Sequence, residues 1–560
     1  MIVKLLKMLG IAFAFVAILL VAVVLLLNTD KVQQWLLQRA VAILREELKT
    51  DVSVGHASIS LRGGRLTLSD VTVDDRQGRK MLSMEQLAVG IDLCALRRRE
   101  VVITEAQVSG LKTMFCRPAS PTDSAVNYQF LVDVLKRHKE SGTTVDADTT
   151  TGKRRPVTFR IKTATVHIDS LCYTTDNGRP RRNTGRPHHG AFDAGHLDLF
   201  ATMKLTIELP GDSQPFHVTL TDCRAVDHGS GLQVDSLQLQ ANVGSDSLLL
   251  SDVTLRLPHT RLSFAKGRVA YARHTPLSYD VPLLTATTQL RDIATPFAPV
   301  LQNFTTPLQL QCAFSGGADT MCFDRVSVTT AGQHPELQIS AVGRITHLRA
   351  KEQLHVHFDV SKMSTRSGMP ERIIGHFPVK MYMMKQLHAL GNISYSGHFD
   401  VLYKKEAFAG QLGTEQGSVN FSFDIDERDK YLSGTADTDS LELGRVMDMK
   451  QLGTIACRAD FRFDISKPRT AKMRQQKGGK LPIGNIEAEV SEGHYKFVTV
   501  HNVAATIQSD GAVATGKVVD RGKHIDITCS FTFTDTDQMQ KLKIKPGIKF
   551  HKKKSEKNND

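Results

Sequence analysis

The chain has 560 residues, a net charge of +13, 41% hydrophobic and 6% aromatic residues and a single tryptophan. This composition excludes a multi-spanning membrane protein, which needs many apolar runs of about 20 residues, and it also excludes disorder throughout. Eight cysteines are too few for a disulfide scaffold. The composition therefore predicts a mostly β, polar chain that is extended or built of several units.

The first predicted element is a membrane anchor. Residues 8–29 contain no charged side chain and follow Lys4 and Lys7. About 20 apolar residues in a helix cross a hydrocarbon core of about 30 Å, whereas a cleaved signal peptide has an apolar run of about 7–15 residues and a small-residue cleavage site. We therefore predict a retained single-pass helix over 8–29 in a bacterial inner membrane. The lysines predict a cytoplasmic N-terminus over 1–7, with the bulk of the chain in the periplasm.

An amphipathic helix is predicted directly after the anchor, over 31–49. Its apolar residues recur at spacings of three and four, which places them on one stripe. They are Val32, Trp35, Leu36, Ala40, Ile43, Leu44 and Leu48. This stripe either closes the end of a β core, which we favour, or lies on the membrane surface.

From residue 50 the apolar period changes to two, which predicts antiparallel strands with one apolar face and one polar face. Helical periodicity returns only at 128–136 and, more weakly, at 441–452. The apolar-face residues of the clearest strands are the candidates for lining a groove. They are Leu87, Val89, Ile91, Leu237, Leu239, Val253, Leu255, Leu257, Phe421, Phe423, Ile425, Phe461, Phe463, Ile525, Ile527, Phe531 and Phe533.

Motifs for chemistry are missing from the sequence: it has no glycine-rich phosphate loop, His-Glu-x-x-His or Cys-x-x-Cys. His355 and His357 would share one face of a strand, but no third metal ligand is placed by spacing, and a packed or solvated pair is favoured. Cys312 and Cys322 are either a hairpin disulfide or small buried side chains. We expect no enzyme activity, no cofactor, no metal and no nucleic-acid partner.

The C-terminal segment 541–560 contains eight lysines. It is predicted to be a solvated, disordered tail, with a segment that binds lipid headgroups or a partner as the alternative.

The order of several segments resembles the AsmA/TamB superfamily, and most closely the N-terminal part of the TamB-like proteins of Bacteroidetes. After the anchor and the amphipathic helix, the similar segments cover nearly the whole chain. They are 51–61, 65–75, 101–115, 127–131, 192–199, 257–262, 431–434 with 441–444, and 493–497 with 500–503. Typical TamB-like proteins are far longer and end in a domain linked to outer-membrane assembly; we expect this chain to depart from that pattern and not to engage an outer-membrane β-barrel directly.

The resemblance implies an elongated, taco-shaped antiparallel β-groove over 50–540, of the kind found in bridge-like lipid-transfer proteins. It implies phospholipids as cargo between inner and outer membrane, the inner membrane as partner through the N-terminal helix, and an outer-membrane assembly partner. Two alternatives stay open: a scaffold or chaperone for outer-membrane protein assembly, in which strand edges pair with clients, and a structural envelope protein whose apolar faces form a sandwich core.

Overall fold

The computed structural model describes the chain from Asp30 to Phe550, with internal gaps. The described ranges are 30–60, 64–96, 100–117, 126–131, 133–134, 158–175, 196–209, 215–271, 276–294, 301–350, 352–376, 384–465, 481–521, 525–535 and 540–550. The predicted anchor over 8–29 lies outside them, and none of the helices inside them is long and apolar enough to span a bilayer. Two compact units are formed, Met1–Thr275 with Leu290–Gln302, and Pro276–Gln289 with Asn303–Asp560.

In the part of the chain that the structure describes, the first unit is a sheet with the helices α1 (Asp30–Leu48), α2 (Leu93–Leu96) and α3 (Arg291–Ala294). Its strands are β1 (Val52–Ser60), β2 (Arg65–Asp74), β3 (Lys80–Ile91), β4 (Glu100–Arg117), β5 (Thr158–Thr175), β6 (Asp198–Glu208), β7 (Phe216–Asp227), β8 (Leu232–Val234), β9 (Ser236–Val243), β10 (Ser247–Arg256) and β11 (Arg261–Ala270). Consecutive strands pair from β1 to β8 and again from β9 to β11, and β7 is long enough to pair with both β8 and β9. The mostly β prediction with few short helices is thus confirmed.

One pair of strands departs from the antiparallel prediction. Strands β4 and β5 are parallel, in a register that runs from Glu100 opposite Thr158 to Arg117 opposite Thr175. A parallel pair needs a crossover connection of a dozen or more residues. The segment 118–157 provides this length, and its described part begins a helical turn at Gln129, within the predicted helix.

Helix α1 closes one end of the packed core of this unit. Leu44 and Leu48 are 6% and 1% exposed and join a continuous buried cluster with strand residues such as Val52. Arg45 fixes the turn that follows, because its Nε donates to the Val52 carbonyl oxygen at 2.8 Å. Ile43, predicted on the same stripe, is 50% exposed, so this part of the stripe is narrower than predicted. These contacts match the core-closing interpretation that the sequence favoured.

The second unit is a longer antiparallel sheet. Its strands are β12 (Ser278–Thr288), β13 (Leu308–Gly317), β14 (Thr320–Thr330), β15 (Leu337–Thr346), β16 (His355–Thr365), β17 (Ile393–Leu402), β18 (Lys405–Thr414), β19 (Gly417–Asp426), β20 (Tyr431–Glu442), β21 (Leu452–Asp464), β22 (Ile483–Tyr495), β23 (Val498–Asp510), β24 (Val513–Arg521), β25 (Ile525–Asp535) and β26 (Gln540–Phe550). Each strand pairs antiparallel with the next one in sequence, from β12 to β26.

The helices of the second unit lie in connections at one end of the sheet. Helices α4 (Met369–Gly375) and α5 (Met384–Ala389) fall between β16 and β17, and α6 (Leu443–Val446) falls between β20 and β21. Because the strands are antiparallel, these connections lie at the same end of the sheet. The connections β17–β18 and β19–β20, at the opposite end, are short. Helix α4 is fixed by Met369, which is fully buried.

The last strand occupies part of the segment predicted to be a disordered tail. Strand β26 pairs antiparallel with β25, with Leu542 opposite Phe533 and Ile544 opposite Phe531. Its sequence alternates lysines with apolar residues, which is the pattern of a strand with one polar face. The tail prediction is therefore wrong for residues 541–550, because the lysine count hid this alternation; residues 551–560 lie outside the described part.

Candidate functional site: an aromatic row on the second sheet

One line of residues crosses the second sheet at matching register positions, with one residue from each strand between β13 and β26. Directly paired residues of antiparallel strands point to the same face, so these side chains form one row. We call this line the aromatic row. Its members are Phe314, Phe323, Gly343, Phe358, Phe399, Phe408, Phe423, Gly434, Phe461, Ile486, Ile507, Gly516, Phe531 and Ile544.

The rings of neighbouring strands contact each other along this row. The ring centres of Phe358 and Phe399 are 5.4 Å apart and the rings are stacked, and the same holds for Phe408 and Phe423 at 5.1 Å. Phe399 links these two pairs, since its centre is 6.0 Å from that of Phe408. Offset-stacked rings at such distances contribute about 0.5–1.5 kcal/mol per pair beyond their buried area. The sheet therefore carries an aromatic surface that is continuous from Phe314 to Phe423.

Two of the three glycines in the row, Gly343 and Gly516, lie beneath a neighbouring ring. A Cβ on Gly343 would stand 2.4 Å from Cδ1 of Phe358, and Phe358 reaches across this glycine to within 5.4 Å of Phe323, measured between ring centres. A Cβ on Gly516 would likewise stand 2.1 Å from Cζ of Phe531. The glycines thus keep the row continuous where a side chain would interrupt it.

The aromatic row is only half-buried, in contrast to the core of the first unit. Every phenylalanine of the row is partly exposed, whereas Leu87 and Val89 of the first unit are 1% exposed. Fully buried apolar residues on the second sheet are mostly small or lie near its ends, as in the cluster of Val490, Val503 and Ala505. The protein thus leaves part of the aromatic surface uncovered.

The adjacent positions on the same face are mostly apolar, but one of them carries a carboxyl group. Two residues further along the strands, Glu406 of β18 stands between Val401 of β17 and Ile425 of β19. Its carboxyl group has a raised pKa, first because it is partly buried and second because Glu427 is also acidic. A carboxyl group in this setting favours its neutral form.

The sequence candidates in the first unit belong mainly to its packed core. Leu87 and Val89 have almost no surface left for a ligand, and Val253 is 6% exposed. The half-buried Ile91, Leu237 and Leu239 pack against the same cluster. Leu255 is half-buried on β10, and Leu257 lies just beyond its end.

The sequence candidates in the second unit do share the apolar face. Phe423, Phe461 and Phe531 are members of the aromatic row. Ile425, Phe463 and Phe533 lie two residues from these members on the same strands, at the register position of Glu406. Phe533 is 7% exposed. Phe421 lies one step to the other side and stacks on Tyr395, with 5.8 Å between ring centres. Ile525 and Ile527 lie on β25 in the same alternation, opposite Phe550 and Ile548.

Sequence reasoning missed the rings between β13 and β18. They are Phe314, Phe323, Phe358, Phe399 and Phe408. A repeated tetrapeptide could have revealed two of them, because His-Phe-Asp-Val occurs at 357–360 and again at 398–401. The two copies pair antiparallel, so that the phenylalanines face each other on the apolar side.

On the polar side of the same strands, His355, His357 and Asp400 form a group that could hold a metal ion. Asp400 accepts hydrogen bonds from both rings, and these bonds outweigh the opposing effect of burial and lower its pKa. Cys312 and Cys322 lie on opposite faces, since Cys312 pairs with Val326 of the apolar side and Cys322 with Ser315 of the polar side; neither is in a disulfide.

Comparison of the chain with protein-family models, with curated proteins and with solved structures finds no match.

Proposed function

We propose that this chain shields lipid acyl chains on the apolar face of its second sheet and so supports phospholipid transport between the inner and outer membrane of a bacterium. The observation that carries the proposal is the aromatic row, whose rings contact one another from Phe314 to Phe423 and are only partly buried. The expected inner-membrane anchor over 8–29 and the resemblance to the AsmA/TamB superfamily suit the same function. The protein would act without a catalytic residue, by lowering the barrier for moving a lipid through water.

The chemistry of the row favours hydrocarbon as the occupant. Large exposed apolar surfaces on soluble domains mark sites that another apolar surface covers. The row offers rings, aliphatic side chains and glycines but no hydrogen-bonding side chain, so it suits an acyl chain rather than a sugar, nucleotide or peptide backbone. Each CH₂ group removed from water contributes about 0.8 kcal/mol. A lipid headgroup would stay outside this surface, because burial of an unpaired charge costs several kcal/mol.

The first unit supplies a comparison for the alternative of a closed structural core. There the apolar residues of paired strands, such as Leu68 and Leu87, are almost completely buried. The second sheet uses larger side chains and buries them less. A sandwich core would show the opposite trend, because bulky rings gain most from complete burial.

The scaffold alternative needs an accessible strand edge. In β26 the lysines Lys541, Lys543 and Lys545 are all exposed. Charged residues of this kind on a terminal strand hinder pairing with another chain. This observation favours the lipid proposal over strand addition at β26.

Site-specific photo-crosslinking in living cells tests the proposal on the full-length chain. A benzophenone amino acid replaces Phe423 on the apolar face, and the matched control replaces Ser422, which is the adjacent residue on the opposite face. After irradiation, mass spectrometry of the purified protein should detect phospholipid adducts at position 423 and few at 422. Absence of lipid adducts at 423, or equal yields at both positions, would reject the proposal. Protein adducts at 423 in place of lipid would favour the scaffold function.

A further inference from the structure

The polar face of β16 and β17 brings three potential metal ligands together. His355 Nε2 lies 2.7 Å from Oδ1 of Asp400, and His357 Nδ1 lies 2.8 Å from the same oxygen. The ligand atoms of all three side chains lie within 4.8 Å of one another. Only small side-chain rotations would then place one ion at about 2.0–2.2 Å from two imidazole nitrogens and a carboxylate oxygen.

Strand register explains how this group arises. His355 and His357 are two residues apart on β16 and therefore share a face. On β17, Asp400 is the direct partner of His357. The carboxylate thus comes from a residue more than forty positions away in the sequence, at 45 residues from His355. Spacing within the sequence could not have supplied this third ligand.

A second carboxylate stands where an outer-shell partner of a metal-bound histidine is usually found. Asp359 Oδ2 is 3.4 Å from Nε2 of His357, the ring nitrogen that faces away from Asp400. Histidine ligands commonly donate their second N–H to a carboxylate, which fixes the tautomer and the orientation of the ring. When an ion replaces the Nδ1 proton of His357, the ring can keep its proton on Nε2, beside Asp359, and offer the Nδ1 lone pair to the metal.

We propose that His355, His357 and Asp400 form a binding site for a divalent transition-metal ion of the zinc class. Two imidazoles and one carboxylate are ligands that Zn²⁺ accepts in proteins, and three protein ligands leave at least one position for water. The side chains are one-quarter to one-third exposed, so an ion can reach them from solvent. This face is opposite to the aromatic row, so the inference does not depend on the proposed lipid function.

Bound metal would link β16 and β17 on the polar face, opposite to the aromatic row. Phe358 follows His357 on β16, Phe399 precedes Asp400 on β17, and these two rings stack with 5.4 Å between their centres. Ligands on both strands would hold this pair in register. Binding is therefore expected to stabilise the second unit, by a free energy that grows with the logarithm of the ratio of the free ion concentration to the dissociation constant.

Zn²⁺ titration of the full-length protein, purified in detergent without a polyhistidine tag, tests the site. Calorimetry should show one tight site per chain that is lost in His357→Ala and in Asp400→Asn. Each loss should weaken binding by more than about 100-fold, because removal of even an outer-shell partner costs 10–100-fold. The matched control is His388→Ala, since His388 also faces a carboxylate, Glu371 at 2.9 Å, but lies outside the group. This control should bind like the wild type.

Two further measurements separate loss of the metal site from loss of the fold and from nonspecific binding. Circular dichroism of each metal-free variant establishes that it is folded, and Asp400→Asn keeps the size and the acceptor oxygen of the side chain. Co²⁺ substituted at the site should give the intense visible absorption of a four-coordinate ion, which hydrated or loosely bound Co²⁺ lacks. Weak binding that is equal in all variants, or no Co²⁺ absorption in the wild type, would overturn the inference.

Discussion

Replacing Phe423 by glutamate places a charge in the middle of the aromatic row. Phe423 has ring neighbours at 5.1 Å, Phe408, and at 5.5 Å, Phe421. Loss of two such pairs, at about 0.5–1.5 kcal/mol each, gives a destabilisation of about 1–3 kcal/mol. Because the position is only partly buried, the carboxylate can keep contact with water, and we expect the fold to persist.

The effect on lipid should be much larger than the effect on stability. An acyl chain that crosses position 423 would have to strip water from the new carboxylate, at a cost of several kcal/mol. Each CH₂ group kept away from the surface loses about 0.8 kcal/mol more. Mass spectrometry of phospholipids that copurify with the full-length chain should therefore show a loss of at least about tenfold, since 1.4 kcal/mol corresponds to a factor of ten.

Ser422→Glu adds the same charge one residue away on the opposite face and is the control. It should keep both the fold and the lipid. A folded Phe423→Glu protein that retains as much lipid as this control would refute the assignment of the row as the lipid surface. Unfolding of Phe423→Glu alone would favour the sandwich-core alternative instead.

Three further predictions concern the fold. Leu48→Ala should lower the free energy of unfolding by about 2–5 kcal/mol, because Leu48 is 1% exposed, as measured by denaturant titration. Gly343→Leu should lower the free energy of unfolding by about 1–3 kcal/mol and reduce the amount of copurifying lipid, because the new Cβ would stand 2.4 Å from the ring of Phe358. Glu406→Gln should raise the thermal midpoint at neutral pH but not in mild acid, since the raised pKa makes the folded wild type lose stability as pH rises through that value.

Each of these three substitutions has a matched control. Ile43→Ala, on the 50% exposed side of α1, should alter stability by less than about 0.5 kcal/mol. Gly375→Ala meets no atom within 4 Å and should be tolerated. For Glu406, the pH dependence of the wild type itself is the comparison: a wild-type midpoint that rises from mild acid to neutral pH relative to Glu406→Gln would contradict the assigned sign.

The sequence predicted the strands well where the period of two was sustained. The alternation at Phe421, Phe423 and Ile425 falls within β19, and helix α1 begins one residue before its predicted start. Periodicity identifies faces and elements because it depends only on neighbouring residues. It could not decide which apolar faces are closed, because Leu87 and Phe423 show the same local alternation but differ in how the chain packs around them.

Features that depend on residues far apart in the chain could not be predicted from the sequence. The parallel pairing of β4 and β5 depends on the route of a long crossover rather than on the residues within either strand. The position of Asp400 beside His357 follows from the register of two strands, and register is fixed only when the whole sheet assembles. The aromatic row is a product of the same register, which explains why its members between β13 and β18 were missed.

The even spacing of rings in the aromatic row has a consequence for movement. Consecutive ring pairs from Phe314 to Phe423 have centre distances of 5.1 to 6.3 Å. Under the proposed function, an acyl chain that advances from one ring to the next between Phe314 and Phe423 meets an equivalent ring, so its free energy changes little along this part of the row. Such a surface permits one-dimensional sliding without a deep trap. It also has no built-in gradient, and net direction must then arise from a difference between the two ends of the row.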